Sequence, residues 1–281
     1  MPDDRLPTTE SADDILKRVS STAEVITSSD SQTLIDFHKF LVEGGFFTQE
    51  EVEPLEVYQR ELANKNPDVR FILTALRDPK KPEELVSAAY GSVQNGVLAI
   101  RFTLTEGSYR AVGLRSTGIS EEADRLLVDE AKRFCDEKKV KLYAYVCEAV
   151  ESSEGYINQL GPKRLYFPGT MNEIHYELPP LAWNSDGTPA MDGIPEHLQV
   201  SVEGYPEQVP VSVLEKIVRD WWKEWYIRPR EQFESDQAWE LHKQTVWGIL
   251  ENKILAPMRS VSELTLISKK ERKASEKSTQ Q

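Results

Sequence analysis

A mixed α/β fold with a mostly antiparallel central sheet is predicted by three features of this sequence. Residues 97–104, 121–138 and 140–146 read as strand, helix and strand, joined by the turn Arg115-Ser116-Thr117-Gly118-Ile119-Ser120. Asn95-Gly96 stands between the apolar runs 85–93 and 97–104, and a two-residue hairpin turn of this kind needs positive φ at both positions. Residues 173–178 and 197–202 alternate apolar and polar side chains, as half-buried strands do. One strand–helix–strand crossover among hairpins gives the order β–α–α–β–β–β–α–β–α–β–β.

Each element has its own local reason. Residues 1–21 are polar and acidic and read as a flexible tail, in which Ile15 and Val19 offer a short helical contact. Residues 23–27 form a short strand stopped by Ser28-Ser29-Asp30. Asp30 or Ser31 caps a helix whose Leu34, Phe37, Phe40 and Leu41 share one face, and Gly44-Gly45 ends it. Thr48 and Glu51 have capping-box spacing for a second helix carrying Leu55, Tyr58 and Leu62, with Pro54 weakening its first turn. Residues 69–76 are almost continuously apolar, as in a strand buried on both faces. A short helix is expected over 151–161. The proline-rich stretch 179–196 is expected to cross over rather than turn tightly. From Pro210 the period becomes helical through Val213, Ile217, Trp221, Trp222 and Trp225. A further helix carries Phe233, Trp239, Val246, Ile249 and Leu250 and stops at Pro257. The domain plan is a tail (1–21), an α/β domain (22–205), a Trp-rich helical extension (206–262) and a second flexible tail (263–281).

Composition narrows the function. With 39% hydrophobic and 29% charged residues, the chain can bury a sizeable core. A net charge of −13 argues against a general nucleic-acid binder, which needs clustered cations. Cys135 and Cys147, the two cysteines, have neither disulfide-framework nor metal-ligand spacing, and no metal site is expected. No run approaches the roughly 20 apolar residues of a membrane span. A soluble, cytoplasmic protein in a reducing compartment is the expectation.

The turn before the long helix carries the chemistry. Gly118 permits a backbone conformation in which successive N–H groups converge on one anion, and the helix start adds about half a positive charge. Against this stand Glu121, Glu122 and Asp124 in the first turn, which repel a pyrophosphate. Arg115-x-x-Gly118-x-Ser120, in this order of elements, resembles the GNAT superfamily of acyl-CoA-dependent N-acyltransferases. The family pattern is Arg/Gln-x-x-Gly-x-Gly/Ala, from which Ser120 departs. Ala123, Leu127 and Ala131 fall where the family's helix packs on its sheet. A rival frame, Arg110-x-x-Gly113-x-Arg115, does not lead directly into the helix.

The resemblance spans about residues 22–205 and implies binding of acetyl-CoA or another acyl-CoA through Leu104, Arg115, Ser116, Thr117, Gly118, Ile119 and Ser120. It implies acyl transfer to a primary amine, with Tyr156 as the acid for the thiolate and Glu106 as a candidate base. Tyr156 lies five residues before Gly161, where the family usually leaves four. His175 and Glu177 are further base candidates, and Arg101 faces either substrate or the sheet edge. His38 and His242 need no special role. The Trp cluster is read as packing, against its own domain or across a homodimer. The alternatives are a silent GNAT-like module binding acyl-CoA or a protein, and an interaction protein built on the Trp-rich helices.

Overall fold

The computed structural model describes residues 11–44, 52–106, 118–149, 162–180, 182–268, 270–272 and 274–275. They divide into two compact units, residues 1–142 and 143–281. Within each unit the strands pair antiparallel, which is the mixed, mostly antiparallel architecture expected.

In the first unit the sheet runs β1 (Glu24–Ile26), β2 (Val69–Asp78), β3 (Lys81–Gln94) and β4 (Val97–Thr105), in chain order. Asn95 and Gly96 take φ +50° and +78°, so the β3–β4 hairpin is closed by the turn the dipeptide predicted. Helix α1 (Ala12–Ser20), capped by Ser11, occupies part of the expected tail and buries Ile15 and Val19. Helix α2 (Gln32–Glu43) is capped by Ser31, whose hydroxyl accepts from the Thr33 N–H, and it buries Leu34, Phe37, Phe40 and Leu41. Helix α3 (Leu55–Leu62) starts only after Pro54, which has no N–H to lose at that position. Thr48 and Glu51, the whole of the expected capping box, lie outside the described residues.

Helix α4 (Ile119–Glu137) packs on β2, β3 and β4 through Ala123, Leu127 and Ala131. Its end corrects the next strand. Lys139 turns left-handed at φ +57°, and the Val140 N–H reaches back to the Cys135 carbonyl at 3.0 Å, a helix-closing bond that takes Val140 out of any strand. Strand β5 accordingly spans Ala144–Ala149, not 140–146.

In the second unit the sheet order is β5, β8 (Ile194–Val202), β6 (Lys163–Tyr166), β10 (Glu263–Ile267), β9 (Gln208–Pro210), with β7 (Tyr176–Leu178) also on β8. Tyr176 faces Glu196 and Leu178 faces Ile194, so the stretch between β7 and β8 is a long hairpin loop rather than a crossover. Helix α5 (Val211–Tyr226) buries Ile217, Trp221, Trp222 and Trp225 as expected, with Val218 beside them, while Val213 is only half-buried and Leu214 takes its place in the core. Trp222 donates to the Val246 carbonyl of α6 (Asp236–Ile249) at 3.3 Å. A π-helical turn, Leu250–Leu255, carries the helix on to Met258, and Pro257 sits at the start of the last short piece, where its missing N–H is tolerated. Residues 263–267, expected in a flexible tail, are a paired strand.

Candidate functional site

The site is built at the end of β4 and the start of α4, both in the first unit. Tyr90 pairs with Phe102 and Gly91 with Ile100, so Arg101 is an extra residue bulging from β4. Gly91 is required opposite the bulge: a Cβ there would stand 2.4 Å from the Ala99 carbonyl oxygen. The bulge turns Arg101 into the protein, where its side chain is 10% exposed. It pairs with Glu53 at 3.0 Å and Glu61 at 3.3 Å. Tyr90 donates to the second Glu61 oxygen at 2.7 Å, and burial followed by the Glu61 charge pushes the Tyr90 phenol well up. Arg101 is thus the buried counter-ion of two carboxylates.

Beyond the bulge, Thr103 and Thr105 are buried while Leu104 and Glu106 are half-buried at the end of the strand. Glu106 donates its N–H to the Val86 carbonyl, which fixes the chain just past β4. Thr103 Oγ1 donates to Asp124 Oδ1 at 2.7 Å and ties this strand end to the first turns of α4.

Gly118 is the N-cap of α4, left-handed at φ +71°, and no side chain caps the helix. Ser120, where the sequence departs from the family pattern, is the second helical residue. Ile119 is buried in the core and offers an anion only its backbone. The first-turn acids are not equivalent. Arg125 grips Glu122 with two hydrogen bonds, of 2.8 and 2.7 Å, and holds its carboxyl below the usual range. Asp124 is 2% exposed. Burial pushes its carboxyl up to about 7, against the Thr103 bond that lowers it and with a smaller push from the Glu121 charge. Glu121 is exposed, with Oε2 3.3 Å from where a Gly118 Cβ would stand. Of three expected repulsive charges, one remains close to the turn.

Arg115, Ser116, Thr117 and Tyr156 lie outside the described residues, as do both glycine-flanked segments around them. The remaining candidates are dispersed. His175 is exposed and 3.6 Å from Glu177, which Lys253 already holds at 2.7 Å. His38 Nε2 lies 3.1 Å from the Glu53 carbonyl. His242 accepts the Arg228 N–H at 2.9 Å, and burial with the nearby Arg228 charge pushes it down to about 4. Trp221, Trp222 and Trp225 are packed against one another and Tyr226, and serve as packing anchors.

A cleft of about 480 Å³ opens elsewhere in the first unit, beside the last turns of α4. Arg70 in its wall is already held by Glu137 at 2.9 Å and by the neighbouring Glu130 at 3.1 Å. Asp124 and Thr103 are the site residues that sequence reasoning missed. An acid at the start of a helix reads as solvated, and only the packing face it shares with Leu127 and Ala131 hinted otherwise.

No protein-family model and no curated protein sequence matches the chain. Solved structures of acetyltransferases align with about two thirds of its length, at low similarity. Arabidopsis thaliana NAA60, solved with a bisubstrate analogue, is 12% identical with TM-score 0.40, over 65% of this chain and 99% of that one. The ribosomal-protein-S18-alanine N-acetyltransferase of Escherichia coli is 11% identical with TM-score 0.39, over 64% and 93%. A GNAT-family acetyltransferase of Staphylococcus aureus is 13% identical with TM-score 0.37, over 64% and 98%.

Proposed function

We propose that this chain is an acyl-CoA-dependent N-acyltransferase that moves an acyl group, acetyl in the first instance, to a primary amine. The observation that carries the reading is the left-handed, side-chain-free start of α4 at Gly118. An N-terminus of this kind presents backbone N–H groups to an anion, and the absent Cβ lets a phosphate approach. The Thr103–Asp124 bond supports it by fixing that turn to the end of β4.

In this reading residues 115–120 hold the pyrophosphate, and the backbone near Leu104 lies along the acyl arm. Backbone N–H groups of β4 polarise the thioester carbonyl. The amine attacks directly, Glu106 being the candidate base and Tyr156 the candidate acid for the departing thiolate. A second reading, a module that binds acyl-CoA without turnover, is favoured by the Glu121 carboxylate beside Gly118.

Thermal-shift titration with acetyl-CoA and desulfo-coenzyme A, alongside thiol release with a panel of amines, tests both. Stabilisation with thiol release supports the enzyme. Stabilisation without release supports the silent module, and no stabilisation at millimolar ligand overturns both.

A further inference from the structure

The cleft beside the last turns of α4 is not used by the reading above. It lies wholly within the first unit, between the ends of α3 and α4 and the start of β2, and its volume of about 480 Å³ is that of a small-molecule site. Its walls hold acceptors that are already spent and donors that are still open.

Glu61, the buried acid of the wall, receives Arg101 on one oxygen at 3.3 Å and Tyr90 on the other at 2.7 Å. Asn64 Oδ1 accepts the Asn66 N–H at 2.9 Å, and Asn66 Oδ1 accepts the Asp68 N–H at 3.1 Å. The carbonyls at the two helix ends are closed as well. The Ala63 N–H bonds the Gln59 carbonyl and the Asn64 N–H that of Glu61, while the Lys138 N–H bonds the Phe134 carbonyl.

The donors are in the opposite state. Among the described residues the amide NH2 groups of Asn64 and Asn66 have no partner, and neither has the ammonium of the exposed Lys65. Arg133 gives Nε and Nη2 to Glu130, which leaves its Nη1 open. Arg70 stands between two unequal partners, with its guanidinium 4.5 Å from the centre of the Phe134 ring. Its Glu130 partner is 5% exposed, but its Glu137 partner is 48% exposed. The Glu137 contact is therefore a weak surface ion pair that another anion can replace.

We infer that this cleft binds a small organic ligand through an oxyanion group, a phosphate or a carboxylate. The anion takes the Asn64 and Asn66 amides and Lys65, and it displaces Glu137 from Arg70 Nη2, whose planar fork suits such oxygens. The site does not depend on the acyl-CoA reading. It lies about 20 Å or more along α4 from the turn at Gly118.

The test titrates the full chain, at constant ionic strength, with inorganic phosphate, ribose 5-phosphate and citrate, and reads binding by calorimetry. The variants are Lys65→Glu and Glu137→Gln, both on exposed side chains, so Tm should not move. Saturable binding is expected, weakened at least about tenfold by Lys65→Glu and tightened about threefold by Glu137→Gln. The first reverses an attracting charge and the second removes a competing one. Gly118→Glu should leave the affinity unchanged. Binding of the two phosphates alone, or of citrate alone, supports the site and names its group. No saturable binding of any probe at tens of millimolar overturns the proposal, and so does an affinity that Lys65→Glu leaves unchanged or Glu137→Gln fails to raise. Loss of binding in Gly118→Glu places the anion at the start of α4, which overturns this proposal and leaves the acyl-CoA reading standing.

Discussion

Thr103 Oγ1 donates a 2.7 Å hydrogen bond to Asp124 Oδ1, while Oδ2 of the same carboxyl has no partner among the described residues. A half-satisfied carboxyl in that position resists ionisation, and burial pushes its pKa up to about 7. The folded protein then holds this proton more tightly than the unfolded chain does. Stability from the protonated form is complete below about pH 4 and is lost as pH rises through about 7. The loss at Asp124 is on the order of 4 kcal/mol by about pH 8. Urea unfolding should therefore find Asp124→Asn close to wild type below about pH 4 and increasingly more stable than it as pH rises to about 8. Parallel pH curves for the two proteins would remove Asp124 as the source.

At Gly118, substitution by Glu should weaken acetyl-CoA binding at least tenfold, about 1.4 kcal/mol. The added Cβ meets only the flexible end of Glu121, at 3.3 Å, and Leu16, so the fold should survive with the roughly 1–2 kcal/mol cost of a left-handed non-glycine residue. Glu121→Gln should strengthen binding, and the gain should fade as salt rises. Glu122→Gln should change little, because Arg125 already holds that carboxylate. Calorimetric titration at two ionic strengths reads all three. Unchanged affinity in a folded Gly118→Glu protein makes this turn a plain helix start.

Arg101 neutralises two buried carboxylates, so Arg101→Met should leave Glu53 and Glu61 without their shared counter-ion. The expected destabilisation is about 3–5 kcal/mol. Adding Glu53→Gln and Glu61→Gln to the same chain should recover a large part of it. If the triple variant unfolds no later than Arg101→Met in guanidinium, the charge explanation fails.

Gly91→Ala probes the bulge. The methyl group would meet backbone, not a movable side chain, 2.4 Å from the Ala99 oxygen. Strands β3 and β4 must part locally, at a cost of about 1–3 kcal/mol. A lower urea midpoint with an unchanged m-value is the expected signature, and an unshifted midpoint would show that the strands accommodate the methyl.

What could be read from sequence was local, and what could not was made by distant partners. Asn95-Gly96 dictated its own hairpin, Ser31 its own cap, and Gly118 its place at the start of α4, because each acts on the backbone beside it. Arg101 gave no sign of its partners, which lie 48 and 40 residues earlier, nor of the bulge that turns it inward. Asp124 looked like one of three equivalent acids until packing buried it against Thr103. Residues 263–267 looked like the beginning of a tail, since a five-residue strand between a helix and a lysine-rich end has little pattern to show.

That last strand bears on how the protein is made. In the first unit the strands line up in the order they leave the ribosome, so each new strand finds its partner already present. In the second unit β10 is inserted between β6 and β9, pairing Leu266 with Leu165 on one side and Leu264 with Val209 on the other. During translation β9 has no partner, and β6 lacks one on that flank, until residues 263–267 emerge. The nascent chain thus delivers one unit complete while the other still exposes an open strand edge, the kind of edge that invites pairing with a foreign chain. Residues 263–267 close that edge when they emerge.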